Sequence, residues 1–403
     1  MATREIKINP QIVEVLEKTK LNESFTLKLA GNNLLRGVQR LNDEDCLFLS
    51  GCLKNKPVTG LDVSYNHITD EGVRHLAELL QEESSALRSL DLSYNDILTD
   101  GAEILSRSLK GNSSLLSLRL SGNKIGNRGT MYLAHMLQVN TGLQELELAD
   151  SDLATQSVIA LTIVLKSNRS LRSVDISRPL LFSHQEEWAV HCSEMLAMNS
   201  SLVELHLGKM GLTDAGMERL TAGLRFNHSL RYLDLRCNRV TRDGTQHLAG
   251  LLKENPSLQI IDLSSNRLED EGAVYLSEAI SWPGCGLKEC SVNSNNIRTK
   301  GLLALTEAMK ANTTLTHVYI WGNYLEEPVC EAFRELMSGG RLLPERTDVS
   351  AYEVDGRVFL AEVFTKLRRR YYSCVAGTCS DSNPPARPES SFKNQQLVPL
   401  QPC

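Results

Sequence analysis

Apolar and polar positions along this chain repeat every 28 or 29 residues, and the pattern changes character within each period. One stretch reads L-x-x-L-x-L-x-x-N-x-L/I, as in LRSLDLSYNDI (87–97), LLSLRLSGNKI (115–125), LRYLDLRCNRV (230–240) and LQIIDLSSNRL (258–268). The L-x-L alternation is a strand signature, because successive side chains of a strand point to opposite faces. Apolar residues at helical spacing follow, as in Val73, Leu76, Ala77 and Leu80, or Met217, Leu220 and Leu224. Each unit therefore predicts strand, loop, helix. The ninth position falls at Asn32, Asn66, Asn95, Asn123, Ser151, Pro179, Met210, Asn238, Asn266, Asn295 and Asn323. The intervals are 34, 29, 28, 28, 28, 31, 28, 28, 29 and 28 residues, which makes eleven repeats between Leu21 and Met337.

The columns of the repeat have mechanical readings. The paired Leu residues should stack from turn to turn into one continuous core. The anchor Asn sits where the chain leaves the strand, and its amide can serve both donors and acceptors of the buried backbone. Asp70, Thr99, Asn127, Thr155, Ser183, Asp214, Asp270 and Thr299 form a column of residue types that favour helix N-caps. Another column, Asn55, Asn112, Asn140, Asn168, Asn199, Asn227, Asn255 and Asn312, precedes each new strand. Asn there suits a helix end in the left-handed conformation.

The chain has 403 residues, 65 of them Leu and 25 Asn, with aromatics at only 5%. That excess favours a stacked repeat over one globular core. A net charge of −6 gives no case for nucleic-acid binding. The ten cysteines include no C-x-x-C pair, and a reducing cytosolic or nuclear compartment is expected. The opening MATREIKINP lacks an apolar run, so no secretory signal is expected, and no apolar stretch is long enough for a transmembrane helix.

A 28-residue unit of this pattern resembles the ribonuclease-inhibitor class of leucine-rich repeats. The resemblance implies an α/β horseshoe solenoid with a parallel sheet on the concave face and helices on the convex face. The eleven-repeat layout and the segment AYEVDGRVFLAEV (351–363) also resemble one subfamily of such proteins. That narrower resemblance implies a nuclear, nucleolar and cytoplasmic protein of germ or stem cells, linked to ribosome assembly and differentiation.

Both ends depart from the repeat. Residues 1–20 read as a capping helix, with Ile12, Val13, Val15 and Leu16 on its apolar side. Repeats occupy residues 21–340, and residues 341–372 read as a C-terminal cap of hairpin and helix. Asp355-Gly356 supplies the hairpin turn. Residues 373–403, rich in Ser, Asn and Pro, are expected to be disordered. In the middle, Ser151, Pro179 and Met210 replace the anchor Asn, and the sixth repeat has three extra residues around SRPLLFSHQEEWAVHC (177–192). Drift in a tolerant solenoid explains this; a reshaped partner site with Phe182 and Trp188 is the alternative.

The chain contains no G-x4-G-K-[ST], H-E-x-x-H or G-x-S-x-G pattern, so neither an enzyme, a cofactor nor a metal site is expected. The informative surface is the concave sheet. The outward residue between the two strand Leu positions reads Lys28, Asp62, Asp91, Arg119, Glu147, Asp175, His206, Asp234, Asp262, Ser291 and Tyr319, six of eleven being acidic, with Glu145, Asp150, Glu204 and Glu289 nearby. Solubility accounts for such a column; an electronegative trough that steers a basic partner is the functional reading. Tyr65 and Tyr94 share one column in adjacent repeats, and Tyr319 and Trp321 lie in the last, so these aromatics are candidate anchors. Lys366, Arg368, Arg369 and Arg370 form a short basic run that reads as a solvated helix end or a nuclear address.

The expected function is a non-enzymatic scaffold binding a protein partner through the concave face, without a small-molecule substrate, membrane or nucleic acid. Three alternatives follow from the repeat class: GTPase activation of the Ran GTPase-activating type, ribonuclease inhibition, and a structural part of a ciliary assembly. Residues 341–403 hold nine Lys/Arg and seven Asp/Glu, unlike the acidic tract of the GTPase-activating family. Ribonuclease inhibition is disfavoured by few cysteines and no alternation of two repeat types. A single solenoid predicts that limited proteolysis first removes the chain beyond about Ser373. An early stable cut between repeats, other than near 177–192, would contradict it.

Overall fold

The computed structural model describes residues 9–18, 24–32, 39–81, 85–181 and 186–374. Within them lies one parallel sheet with strands in chain order: β1 (Phe25–Lys28), β2 (Val58–Asp62), β3 (Ser89–Asp91), β4 (Ser117–Arg119), β5 (Glu145–Glu147), β6 (Ser173–Asp175), β7 (Glu204–His206), β8 (Tyr232–Asp234), β9 (Ile260–Asp262), β10 (Glu289–Ser291) and β11 (His317–Tyr319). A helix follows each strand: α2 (Asp43–Leu53), α3 (Asp70–Gln81), α4 (Thr99–Leu109), α5 (Gly126–Leu137), α6 (Thr155–Leu165), α7 (Glu187–Met198), α8 (Asp214–Leu224), α9 (Arg242–Glu254), α10 (Glu269–Ile280), α11 (Thr299–Ala311) and α12 (Glu327–Ser338), with α1 (Pro10–Lys18) ahead of β1. The paired Leu columns, such as Leu90 and Leu92 or Leu118 and Leu120, are fully buried between sheet and helices. This is a leucine-rich-repeat solenoid with a concave parallel sheet.

The anchor Asn residues stitch each turn to the one before. Asn238 donates from Nδ2 to the carbonyls of Leu235 (2.8 Å) in its own repeat and Leu207 (3.0 Å) in the preceding one. Its Oδ1 accepts from the amides of Met210 and Leu212, both at 3.0 Å. Asn66 and Asn123 do the same. The residue before ten of the eleven anchor positions takes positive φ, at Tyr65, Tyr94, Asp150, Arg178, Lys209, Cys237, Ser265 and Ser294, and at Gly122 and Gly322; Gly31, before Asn32, does not.

Two columns act differently from their sequence reading. In the pre-strand Asn column, Asn55 is left-handed (φ 58°), but Asn199, Asn255 and Asn312 are extended. Their work is a second ladder: Asn140 donates to the carbonyls of Leu109 and Asn112 and accepts from Gly142 and Leu143. The capping column also works across repeats. Asp214 is the first residue of α8, yet its carboxylate accepts from the amides of Thr241 (2.7 Å) and Gly244 (3.0 Å), which open α9. Asp43 and Asp270 cap the following helices likewise. Gly244 must lack a side chain for this, because a Cβ there would lie 2.5 Å from Asp214 Oδ1.

The ends close the sheet and core. Ile12 of α1 is fully buried. At the other end β12 (Val349–Val354) and β13 (Arg357–Glu362) pair antiparallel around Asp355 and Gly356, both at positive φ. Asp348 just ahead of β12 stands in for a twelfth strand: its carboxylate accepts from the amides of Ile320 (2.9 Å) and Trp321 (3.2 Å) and from Asn293 Nδ2 (2.6 Å). A bare sheet edge would leave those amides unpaired. Residues 363–374 contain no helix, which corrects the helical reading of the basic run. In the irregular middle, Ser151 Oγ still reaches the Leu120 carbonyl (3.2 Å), Met210 is simply buried, and Trp188 is buried in α7. Phe182 and residues 375–403 lie outside the described residues.

Asn238→Ala removes both donors and acceptors from two buried turns. It should cost on the order of 1–3 kcal/mol, read as a lower denaturant midpoint at unchanged cooperativity. An unchanged midpoint would refute the ladder's role.

Candidate functional site

Strand register places the outward residues in rows. Asp62 pairs with Asp91, Asp91 with Arg119, Arg119 with Glu147, Glu147 with Asp175, Asp175 with His206, His206 with Asp234, and Asp234 with Asp262. A second row two residues earlier carries Ser117, Glu145, Ser173, Glu204, Tyr232, Ile260 and Glu289. The sheet thus gathers most of the candidate residues on one face.

Their exposure divides that face in two. Over β2 to β6, Asp62, Asp91, Glu147 and Asp175 are half-buried and Tyr94 is 42% exposed, although Glu145 on β5 is buried. The Tyr65 and Tyr94 rings stack with centroids 4.5 Å apart and planes 12° from parallel. Gly122 leaves the space that the Tyr94 ring occupies. Over β7 to β11, His206, Asp234, Asp262, Ser291 and Tyr319 are buried, as are Glu204, Tyr232 and Glu289. The expectation of a solvated acidic column therefore fails for this half. Trp321 is half-buried and packs against the core, which makes it part of the capped end.

Residues 368–374 cross the face and cover Glu204, Tyr232 and Glu289 among these. Arg368 pairs with Glu289 (2.5 Å), and its carbonyl accepts from the Tyr232 hydroxyl (3.0 Å). Arg370 pairs with Glu145 and Glu147. The consecutive amides of Tyr371 and Tyr372 donate to Glu204 Oε2 at 2.9 and 2.7 Å. The Tyr371 hydroxyl donates to Gln259 (3.3 Å), the Tyr372 hydroxyl to Gln144 (2.5 Å), and Cys374 Sγ to Glu145 (3.6 Å). Sequence reasoning saw both the acids and the basic run but had no means of joining them. Opposite charge was the one available signal.

Beneath the segment, the His206 ring is held between two carboxylates, Nε2 to Glu204 Oε1 (2.6 Å) and Nδ1 to Asp234 Oδ2 (3.1 Å). Both ring nitrogens face acceptors, so both must carry protons. Burial pulls the imidazolium pKa down, but hydrogen bonds to Asp234 and Glu204 outweigh it and push it up to about 10. Asp234 also receives Arg236 Nε (3.1 Å). Arg119 lies among Glu145 (3.0 Å), Glu147 (3.5 Å) and Asp91 (3.6 Å). A pocket of about 520 Å³ remains between the Tyr65–Tyr94 stack, Asp91, Asp175, Arg369 and Arg370. Among the described residues, no group of three or more His, Cys, Asp or Glu side chains is arranged to hold a metal ion, and no helix is long and apolar enough to cross a membrane.

The solenoid and its concave face define a leucine-rich-repeat protein, and a family model described as Leucine Rich repeat matches residues 54–77, 83–106, 111–134, 226–249 and 254–277. Leucine-rich repeat-containing protein 34 of Homo sapiens is 55% identical over 373 residues, covering 91% of this chain and 80% of that protein. The Mus musculus protein of that name is 44% identical, covering 91% of this chain and 90% of its own length. This chain belongs to the leucine-rich repeat-containing protein 34 family. An internalin from Listeria monocytogenes aligns over 83% of this chain and 94% of its own, with 17% identity and a TM-score of 0.43.

The raised pKa of His206 fixes a pH dependence. Its charged form is favoured by folding, so the contribution is complete below the unfolded value near 6.5 and is lost as pH rises towards about 10. The stability gap between wild type and His206→Gln should shrink by about 1.4 kcal/mol per pH unit between pH 7 and 10. Denaturant melts at three pH values check this. A constant gap would mean that the ring is neutral.

Proposed function

We propose that this chain is a non-enzymatic scaffold that binds a protein partner with a basic surface through its concave face. The observation that carries the reading is the open half of that face, where the stacked, partly exposed Tyr65 and Tyr94 stand beside Asp62 and Asp91. Stacked tyrosines offer a large, rigid contact area at small entropic cost. Neighbouring carboxylates select for arginine and lysine and steer approach. Membership of a leucine-rich-repeat family supports the same reading.

We carry the compartment and process into the same proposal: nucleus, nucleolus and cytoplasm, in germ or stem cells, with ribosome assembly as the process served. The resemblance to the family supports this, and so does charge, because an acidic face suits the basic proteins of an assembling ribonucleoprotein particle. Imaging of the tagged chain in such cells tests the compartment.

Quantitative affinity purification from the native cell type tests the binding face. Tyr65→Ala/Tyr94→Ala should melt close to wild type and lose at least tenfold of the main partner. Trp282→Ala, at an exposed site after α10, should keep it. Equal recovery with all three chains would overturn the reading.

A further inference from the structure

Residues 368–374 lie on the sheet as a peptide ligand would. They run from Glu289 on β10 to Glu145 on β5, across the strands. Five strand spacings of ~4.8 Å make roughly 24 Å, more than the roughly 20–22 Å that six residue steps reach fully extended; the Arg368 side chain covers the rest, its carbonyl lying by Tyr232 on β8 and its guanidinium at Glu289 on β10. The sheet reads both backbone and side chains. Glu204 takes two consecutive amides and Tyr232 donates to a carbonyl; successive amides reach one oxygen only from a bent backbone, and the segment bends at Arg369 and Tyr371. Glu289 and the Glu145/Glu147 pair take arginines two residues apart. Gln259 and Gln144 accept from the two tyrosine hydroxyls.

The segment is not part of the core. The Leu columns beneath the sheet are fully buried by the helices behind them. The floor under residues 368–374 is mostly charged: Glu145, Glu147, Glu204, Asp234 and Glu289, with Arg119, His206 and Arg236 as its cations. Lifting the segment would return carboxylates to water, and Tyr232, Ile260 and Tyr319 are the apolar side chains of that floor. Hydrated carboxylates are a stable alternative to paired ones. The connection to the cap, 363–367, has no regular structure, and Phe364 in it is 96% exposed. Such a linker permits docking and release without unfolding a repeat.

We propose that the β5–β10 part of the concave face is a binding site for a peptide of the pattern Arg-x-Arg-Tyr-Tyr, bent as residues 368–374 are, and that this chain's own residues 368–374 occupy it as a resident competitor that a protein partner must displace. This deepens the concave-face reading above and rests on it. A partner would land on the open Tyr65–Tyr94 half, whose pocket borders Arg369 and Arg370, and then replace the resident segment strand by strand. Tethering on a short linker gives the segment a local concentration on the order of millimolar, so a free peptide of equal intrinsic affinity competes poorly.

The test uses the full chain and a fluorescent peptide with the sequence of residues 364–373. Arg368→Ala/Arg370→Ala should bind that peptide at least tenfold more tightly than wild type. Adding Glu145→Gln and Glu204→Gln to the same chain should abolish binding. Cys374 supplies a second readout that needs no peptide. It is buried against Glu145 in the docked state, whereas Cys237 is exposed. Alkylation followed by peptide mass spectrometry should find Cys374 at least tenfold slower than Cys237 in wild type, and faster in the arginine variant. Equal peptide affinity for wild type and variant, or rapid alkylation of Cys374 in wild type, overturns the proposal. If Cys374 is released in the variant but the peptide does not bind, the segment is a lid and not a ligand mimic, which also overturns it. Neither result bears on the Tyr65/Tyr94 purification, so the broader reading stands or falls separately.

Discussion

A buried asparagine amide that serves two successive turns of backbone is the interaction on which the rest of the molecule depends. Each repeat leaves its strand through a bend whose carbonyls and amides face the protein interior, where water cannot reach them. A short strand of three residues cannot satisfy them itself. The carboxamide has two donors and an acceptor oxygen with two lone pairs, and Asn238 uses them on Leu207, Leu235, Met210 and Leu212. The consequence is directional: no repeat is complete without its predecessor. The second Asn ladder and the Asp carboxylates that cap the next helix repeat the principle at the other two corners of the unit. Stability then accumulates between neighbours, as expected of a one-dimensional array.

The same logic explains the ends and the middle. Asp348 provides carboxylate oxygens where the chain has no further strand carbonyls to offer. Across Ser151, Pro179 and Met210 the amide ladder is thinned, and Ser151 replaces only part of it. Strand pairing from β5 to β8 continues unbroken through this region. The sheet therefore carries the load that the asparagines elsewhere share.

On the concave side the governing constraint is electrostatic. A row of carboxylates at strand spacing repels itself, and burial makes that repulsion stronger. Arg119 and His206 are set into the outward row where they divide the acids into groups, and Arg236, just past β8, pairs with Asp234. The His206 imidazolium, clamped by Glu204 and Asp234, together with Arg236 on Asp234 balances two buried acids. Residues 368–370 complete the neutralisation over β5 to β10. The half without such cover is the half that keeps its acids partly hydrated and its tyrosines open.

Periodicity determined the repeat class, the positions of the strands and helices, and the membership of the concave rows, because a period of two within a period of 28 leaves each residue one face to occupy. The anchor role of Asn66 or Asn238 was legible for the same reason. The roles of Asp214 and Asn140 were not. A capping residue or a turn former reads as local, and only the stacked turns show that its partners belong to another repeat. The burial of Asp234, Asp262 and Tyr319 was also invisible. So was the segment that covers Glu204 and Tyr232, more than a hundred residues further along the chain and held by charge pairs that no periodic pattern encodes. Repeated short-range spacing specifies a solenoid; what covers its face is decided by one long-range segment, which occurs once and so leaves no pattern.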